Sequence, residues 1–235
     1  METGRLNYPD GDPRGLRKQN MGKRTVKTKI KNEKLIDRRR KQIIDGAIKV
    51  FTAKGFHKAT VREIAKEAGL TMGSLYNYIA SKEDIIHIVY DYITRVLREE
   101  MKKAIAGIKD PEERLKAALH QNLKAVYQNQ EIIMFMNRES ASLDKESLYT
   151  VLARETEYIE LFEGLLRERF KGQRVNEERL RLAADLLPYI PVIMTSRRWS
   201  LKRRFESMDN VMKGILDFVL QGIEFIPEKS NTHEK

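Results

Sequence analysis

From Asp37 onward, apolar residues recur at three- and four-residue spacing and do not settle into the every-second-position alternation of a half-buried strand. Ile43, Ile44, Ala47, Val50 and Phe51 share one helical face before Gly55, which predicts a first helix over about 37–54. Thr60 with Glu63 forms a capping box, and Val61, Ile64, Ala65 and Ala68 mark one face of a short second helix closed by Gly69. Met72 to Ile79 reads as another short helix with Leu75 and Ile79 inward. Ser81 with Asp84 opens a long helix through Ile85, Ile86, Val89, Ile93 and Leu97. After Gly107 longer amphipathic helices are expected at about 111–129, 131–142, 145–171, 176–199 and 207–225. The expected fold is all-α.

The segment Val61 to Tyr78 meets the requirements of a helix-turn-helix. Ala65 is small enough for close helix contact and Gly69 suits the reversal, while Ile64, Leu70 and Leu75 supply a small core fixing the interhelical angle. The outward face of the second helix, Met72, Gly73, Ser74, Tyr76, Asn77 and Tyr78, carries no acid, which suits a phosphate-lined major groove. An ordinary helical hairpin is the alternative.

Charge strengthens the nucleic-acid reading. Residues 1–82 hold 20 Lys and Arg against 8 Asp and Glu, whereas 83–235 hold 25 against 26; the whole surplus of the +11 chain lies in its first third. Such a field attracts polyanions. Residues 1–35, with Gly4, Pro9, Gly11, Pro13, Gly15 and Gly22 and a basic run from Lys18 to Lys34, read as a disordered basic arm that could track phosphate or a minor groove, or be a mere tail. A domain at 36–82, a larger helical domain at 83–226 and a tail at 227–235 complete the expected organisation.

Of 235 residues, 41% are hydrophobic and none is cysteine, so a real core is expected and thiolate metal sites and disulfides are excluded. Leu186 to Ser196, broken by Pro188 and Pro191, is too short for a membrane span. Met1 to Gly22 has no apolar signal region, so a cytoplasmic location is expected. The four histidines are scattered, and no phosphate loop, nucleophile elbow or paired-carboxylate motif is present. Neither an enzyme, a metal nor a cofactor is expected.

Ile-Ile-Asp-Gly-Ala-Ile-Lys-Val-Phe at 43–51, Lys-Gly-Phe at 54–56, Ala-Thr-Val-Arg-Glu-Ile-Ala-Lys-Glu-Ala-Gly-Leu at 59–70, Gly-Ser-Leu-Tyr-Asn-Tyr-Ile at 73–79 and Ser-Lys-Glu at 81–83 resemble the DNA-binding domain of the TetR family of bacterial transcriptional regulators. Ile79 departs from the family's usual phenylalanine. The resemblance implies a three-helix headpiece, a linking fourth helix, a helical ligand-binding domain and a two-fold dimer presenting two recognition helices to a palindromic double-stranded DNA operator. It places Thr60 at phosphate, Thr71 and Ser74 at phosphate or base edges, Met72, Gly73 and Tyr76 at bases, and Asn77, Tyr78 and Lys82 on the DNA backbone.

In the second half, Phe135, Tyr158, Phe162, Tyr189, Met194, Arg198 and Trp199 are candidates for an effector pocket, opened by the Pro188-Tyr-Ile-Pro191 break. Plain core packing is the competing explanation. The cluster Arg197, Arg198, Lys202, Arg203 and Arg204 would suit an anionic head group, or be a solvated loop; the family resemblance implies a fatty acyl-CoA as one such effector, since some members of the family sense these thioesters. Met208, Val211, Met212, Ile215, Phe218, Val219 and Gly222 form a stripe expected at the homodimer interface. The sequence therefore predicts a ligand-responsive transcriptional repressor. Its rivals are a constitutive DNA-binding protein and a helical enzyme with an accessory DNA domain.

Overall fold

The computed structural model describes Val26, Thr28, residues 32–139 and residues 145–228. The described chain is helical: α1 (Glu33–Lys54), α2 (Val61–Glu67), α3 (Met72–Leu75), α4 (Lys82–Ile105), α5 (Pro111–Gln128), α6 (Gln130–Glu139), α7 (Lys145–Arg169), α8 (Glu177–Tyr189), α9 (Val192–Ser196), α10 (Arg198–Arg204) and α11 (Met208–Gly222), then a 3-10 turn at Ile223–Phe225. No helix among the described residues is long and apolar enough to cross a membrane.

Two boundaries differ from expectation, and a third helix divides as its prolines predict. Asn32 caps α1, its side chain accepting from Leu35 N at 3.1 Å, so residues 33–35, assigned to the arm, are helical. α3 ends at Leu75 rather than Ile79, because Asn77 N and Tyr78 N reach back only three residues, to Ser74 O at 3.2 Å and Leu75 O at 2.9 Å. The helix expected over 176–199 is divided into α8, α9 and the start of α10, since Pro191 has no N–H to offer the Leu187 carbonyl one turn earlier. Residues 1–25, 27 and 29–31 of the arm, 140–142 of the helix expected at 131–142, and 229–235 of the tail lie outside the described residues.

The described residues up to Arg95 form one compact unit with Glu131–Thr156. Ile43, Ala47 and Phe51 of α1, Ile64 of α2, Leu75 of α3 and Ile85 and Val89 of α4 are fully buried there. α1 and α2 pack at van der Waals limit: a Cβ on Gly46 would stand 2.8 Å from Ala68 N. Phe51 stacks on Phe135 of α6 with centroids 5.1 Å apart and meets Phe56 edge-on at 5.6 Å, and Tyr90 OH donates to Met136 O at 2.6 Å.

Val96–Gln130 and the described part of Glu157–Lys235 form the second unit. Its core joins Leu115 and Leu119 of α5, Phe162 and Leu166 of α7, Leu180, Ala184 and Leu187 of α8 and Val219 of α11. Burying a side chain the size of Phe162 contributes about 1.5–3 kcal/mol. The chain end is tied down: Val175 and Pro227 form an isolated antiparallel bridge, and Glu228 N donates to Arg174 O at 2.9 Å.

Candidate nucleic-acid interface

Local chemistry sets the ends of α2 and α3. Thr60 and Glu63 cap each other reciprocally: Glu63 N donates to Thr60 Oγ1 at 3.2 Å and Thr60 N to Glu63 Oε2 at 3.1 Å. The hydrogen bond from Lys54 first, and those from Thr60 second, hold the Glu63 carboxyl below its ordinary range. Thr71 Oγ1 accepts from Ser74 N at 3.1 Å. Each cap uses a lone pair of the threonine hydroxyl and leaves its O–H free to donate outward, which a phosphate oxygen can accept. Between the helices Gly69 takes φ +66, a left-handed conformation that glycine adopts at little cost, and Leu70 N closes the turn on Ala65 O at 2.9 Å.

Leu75 is fully buried and orients α3 from below. Thr60, Thr71, Gly73 and Tyr76 are exposed, and Met72, Ser74 and Asn77 are half-buried. A Cβ at Gly73 would meet nothing within 4 Å, so the surface above it is open for close approach. These side chains form one neutral face offering methyl, thioether, phenol, hydroxyl and amide groups, which matches the mixture of methyls, donors and acceptors on a major-groove edge.

Two expected DNA contacts are corrected. Tyr78 is only 4% exposed and belongs to the core, because α3 stops at Leu75 and the tighter winding beyond it turns the ring inward. Lys82 is occupied: Nζ donates to Phe56 O at 2.9 Å, Ala59 O at 3.2 Å and His57 O at 3.3 Å, and lies 4.4 Å from the Phe56 ring centroid. With its three N–H donors spent on those carbonyls, it latches the 56–59 loop to the start of α4 rather than reaching for phosphate.

The expected effector residues do not form one set. Phe135 lies in the first unit, stacked on Phe51. Tyr189 and Trp199 are 51% and 64% exposed, so neither lines an enclosed pocket. Arg198 is exposed on α10 with Arg197, Lys202, Arg203 and Arg204, while Leu201 turns inward against Leu123, Met194 and Val211. Half-buried Tyr158 and fully buried Phe162 meet edge to face, 5.5 Å between centroids.

Beside that pair lies a small gap of about 10 Å3, room for about one water molecule, lined by Leu119, Leu123, Leu187, Pro191, Ile215 and Asn122 among others. Asn122 is its polar centre. Its amide donates to Leu187 O at 3.2 Å, the carbonyl that Pro191 leaves without a helical donor, and its oxygen accepts from Tyr158 OH at 3.0 Å. Burial, with a smaller contribution from Glu100, pushes the Tyr158 phenol well above its ordinary range and keeps it a donor. The break between the prolines thus creates an orphan carbonyl, and a residue that sequence reading passed over fills it. Asparagine among the apolar positions of α5 was the signal.

The expected dimer stripe is also divided. Val211 and Val219 are buried in their own subunit, and Met208, Met212 and Ile215 pack against its core; Phe218, 73% exposed, and Gly222 face outward. A second outward apolar set was missed: Leu182, Leu186, Tyr189 and Ile193, about half exposed, at spacings of four, three and four along α8 and α9. Leu187 of α8 and Ile215 and Val219 of α11 face each other across the gap, so Leu186 and Phe218 look away from it.

The profile described as "Bacterial regulatory proteins, tetR family" matches residues 43–89, and "Tetracyclin repressor-like, C-terminal domain" matches 108–223. The HTH-type transcriptional regulator HbdR of Aromatoleum sp. (strain CIB) is 28% identical over 82% of this chain and 84% of its own. The fatty acid metabolism regulator protein of Bacillus subtilis (strain 168) is 25% identical over 77% of this chain and 94% of its own. A transcriptional regulator of the TetR/AcrR family from Thermobifida fusca superposes with a TM-score of 0.62 at 27% identity, covering 78% of this chain and 97% of that one. With a capped helix-turn-helix headpiece joined to an all-helical second unit, the chain belongs to the TetR family of DNA-binding bacterial transcriptional regulators.

Proposed function

We propose that this chain is a cytoplasmic, homodimeric repressor that holds a palindromic operator and releases it on binding an amphipathic, anionic effector of the fatty acyl-CoA class. The observation that carries the DNA part is the open, acid-free face from Thr71 to Asn77 on the third of the chain that holds the entire positive surplus. Thr60, Thr71 and Ser74 serve the phosphates and Met72, Gly73 and Tyr76 the base edges, with Asn77 beside them. The work is binding rather than turnover.

Dimerisation is supported by the outward apolar residues Leu182, Leu186, Tyr189, Ile193 and Phe218, which a second copy of the chain would cover. The effector class is supported by an apolar gap that shares its unit with the guanidinium-rich outer face of α10, and by relatives that include a fatty acid metabolism regulator. Tyr158, Phe162 and Met194 would face the acyl part and Arg198 the phosphates. The gap, about 10 Å3, is far below the roughly 300–1,000 Å3 typical of ligand sites, so an acyl chain must select a much more open state. That differential affinity is what a ligand needs to shift a conformational equilibrium.

Fluorescence anisotropy of a bound operator, titrated with acyl-CoA of increasing chain length, tests the proposal. Release by long-chain thioesters at concentrations where free CoA has no effect is expected. An unchanged complex at every chain length refutes the effector class.

A further inference from the structure

We propose that the outward face of α10 binds single-stranded nucleic acid, with Trp199 as a platform for an unpaired base and Lys202 and Arg203 as phosphate contacts beside it. This goes beyond the operator reading above, which concerns the helix-turn-helix. The charge here is concentrated: Arg197, Arg198, Lys202, Arg203 and Arg204 fall within eight residues, and no acid stands between Asp185 and Glu206. Residues 83–235 as a whole hold 25 cations against 26 acids, so the cluster is not part of a general solubilising surplus. Its cations are also unspent. Arg114, Lys116, Arg167, Arg169 and Arg174 of the same unit each hold a glutamate, whereas the five at 197–204 are exposed and pair with no acid among the described residues.

The aromatic residue decides which anion fits. Leu201 turns inward against Leu123, Met194 and Val211 and fixes the roll of α10. At about 100° per residue, Trp199 stands about 160° round the helix from Leu201. Its indole, 64% exposed, is the centre of the outer face, and Lys202 and Arg203, three and four residues on, are its neighbours there. A flat apolar ring beside cations is what an unpaired strand needs: every base has a π-face to lay on the indole, and the adjoining phosphates accept from ammonium and guanidinium. Duplex DNA supplies the phosphates but keeps its base faces inside the stack. A bilayer surface rewards a run of apolar side chains along one helix face, whereas α10 offers Trp199 set among cations, with Leu201 turned away. An acidic peptide would pair with the cations and has no planar base to cover the ring.

Trp199 is the chain's sole tryptophan, so its fluorescence reports on this face. The full-length protein is titrated with a short unstructured RNA strand, and separately with the same sequence as a duplex, with CoA, with polyglutamate, and with vesicles of phosphatidylglycerol and phosphatidylcholine. The single strand should quench the emission saturably, and at matched concentrations of anionic groups the others should leave it nearly unchanged. With Lys202→Gln and Arg203→Gln together, the quenching midpoint should move about tenfold higher near physiological salt. Its log–log salt slope should be shallower by about 1.4, two phosphates at about 0.7 each for a single strand, with melting temperature and operator affinity unchanged. No quenching by the strand, or a double variant with the wild-type midpoint and slope, overturns the proposal. So does an equal response to CoA, which would make this a mononucleotide site, to vesicles, which would make it a lipid surface, or to the duplex or polyglutamate, which would make it a general anion patch. Each of these results leaves the helix-turn-helix reading standing.

Discussion

Gly46→Val is expected to cost the protein both stability and operator binding, although Gly46 is buried and is not part of the DNA-facing surface. A Cβ at that position would stand 2.8 Å from Ala68 N and 3.2 Å from Ala68 Cα, both backbone atoms at the end of α2. No rotamer change relieves such a contact; α1 and α2 must separate. Opposing this, a glycine inside a helix is about 1 kcal/mol worse than alanine, so Gly46→Ala would stabilise the protein if α2 could yield freely. Overpacking of a tight contact costs about 1–3 kcal/mol, more than that gain, and valine adds two methyl groups to the clash. Chemical denaturation should therefore show both variants less stable than wild type, valine the worse. Because the α1–α2 contact sets the angle at which α3 is presented, operator affinity should fall further than stability alone explains. A Gly46→Ala protein more stable than wild type, with full affinity, would show that the contact is not limiting.

Asn122→Leu should destabilise the second unit by about 2–4 kcal/mol despite similar side-chain volume. The change strands two buried groups at once, the Leu187 carbonyl and the Tyr158 hydroxyl, and each unsatisfied polar group costs about 1–3 kcal/mol, only partly offset by the added apolar burial. Tyr158→Phe removes one of the stranded groups, so the double variant should lose less than the sum of the single changes. The phenol also makes a pH signature. Its ionisation is raised in the folded state, so its contribution is intact below the unfolded value near 10 and is lost progressively as pH climbs from there through the raised folded value, the unfolded chain giving up the proton first. Stability should decline more steeply above about pH 10 in wild type than in Tyr158→Phe. Additive losses in the double variant would mean that Asn122 and Tyr158 do not act together.

How much of this was legible beforehand divides by physical cause. The helices and the caps at Thr60 and Ser81 follow from local chemistry, in which a hydroxyl accepts from a backbone N–H three residues on, and the sequence displays it directly. The break at Pro188 and Pro191 was equally visible, since a missing N–H needs no tertiary context. What depends on which side of a helix meets a neighbour was not. Tyr78 reads as an outward residue only if α3 runs on to Ile79. Phe135 reads as a pocket residue only if α6 packs with the second unit, whereas it stacks on α1. The α11 stripe is wide enough to serve both its own core and an outer face, and periodicity alone assigned all of it to the dimer. Gly46 was invisible for a simpler reason: a glycine within a helical pattern gives no hint of what backbone lies against it.

The central claim is that the Thr71 to Asn77 face reads duplex DNA from a two-fold pair of subunits. Selection of bound sequences from a random pool of duplexes by the full-length protein, followed by affinity measurement with Tyr76→Ala, tests it most directly. The account predicts an inverted-repeat motif with half-sites about one helical turn, or a multiple of it, apart, and a loss of about 1–3 kcal/mol for Tyr76→Ala at unchanged melting temperature. A pool with no enriched sequence, or equal affinity for the two proteins, would contradict it.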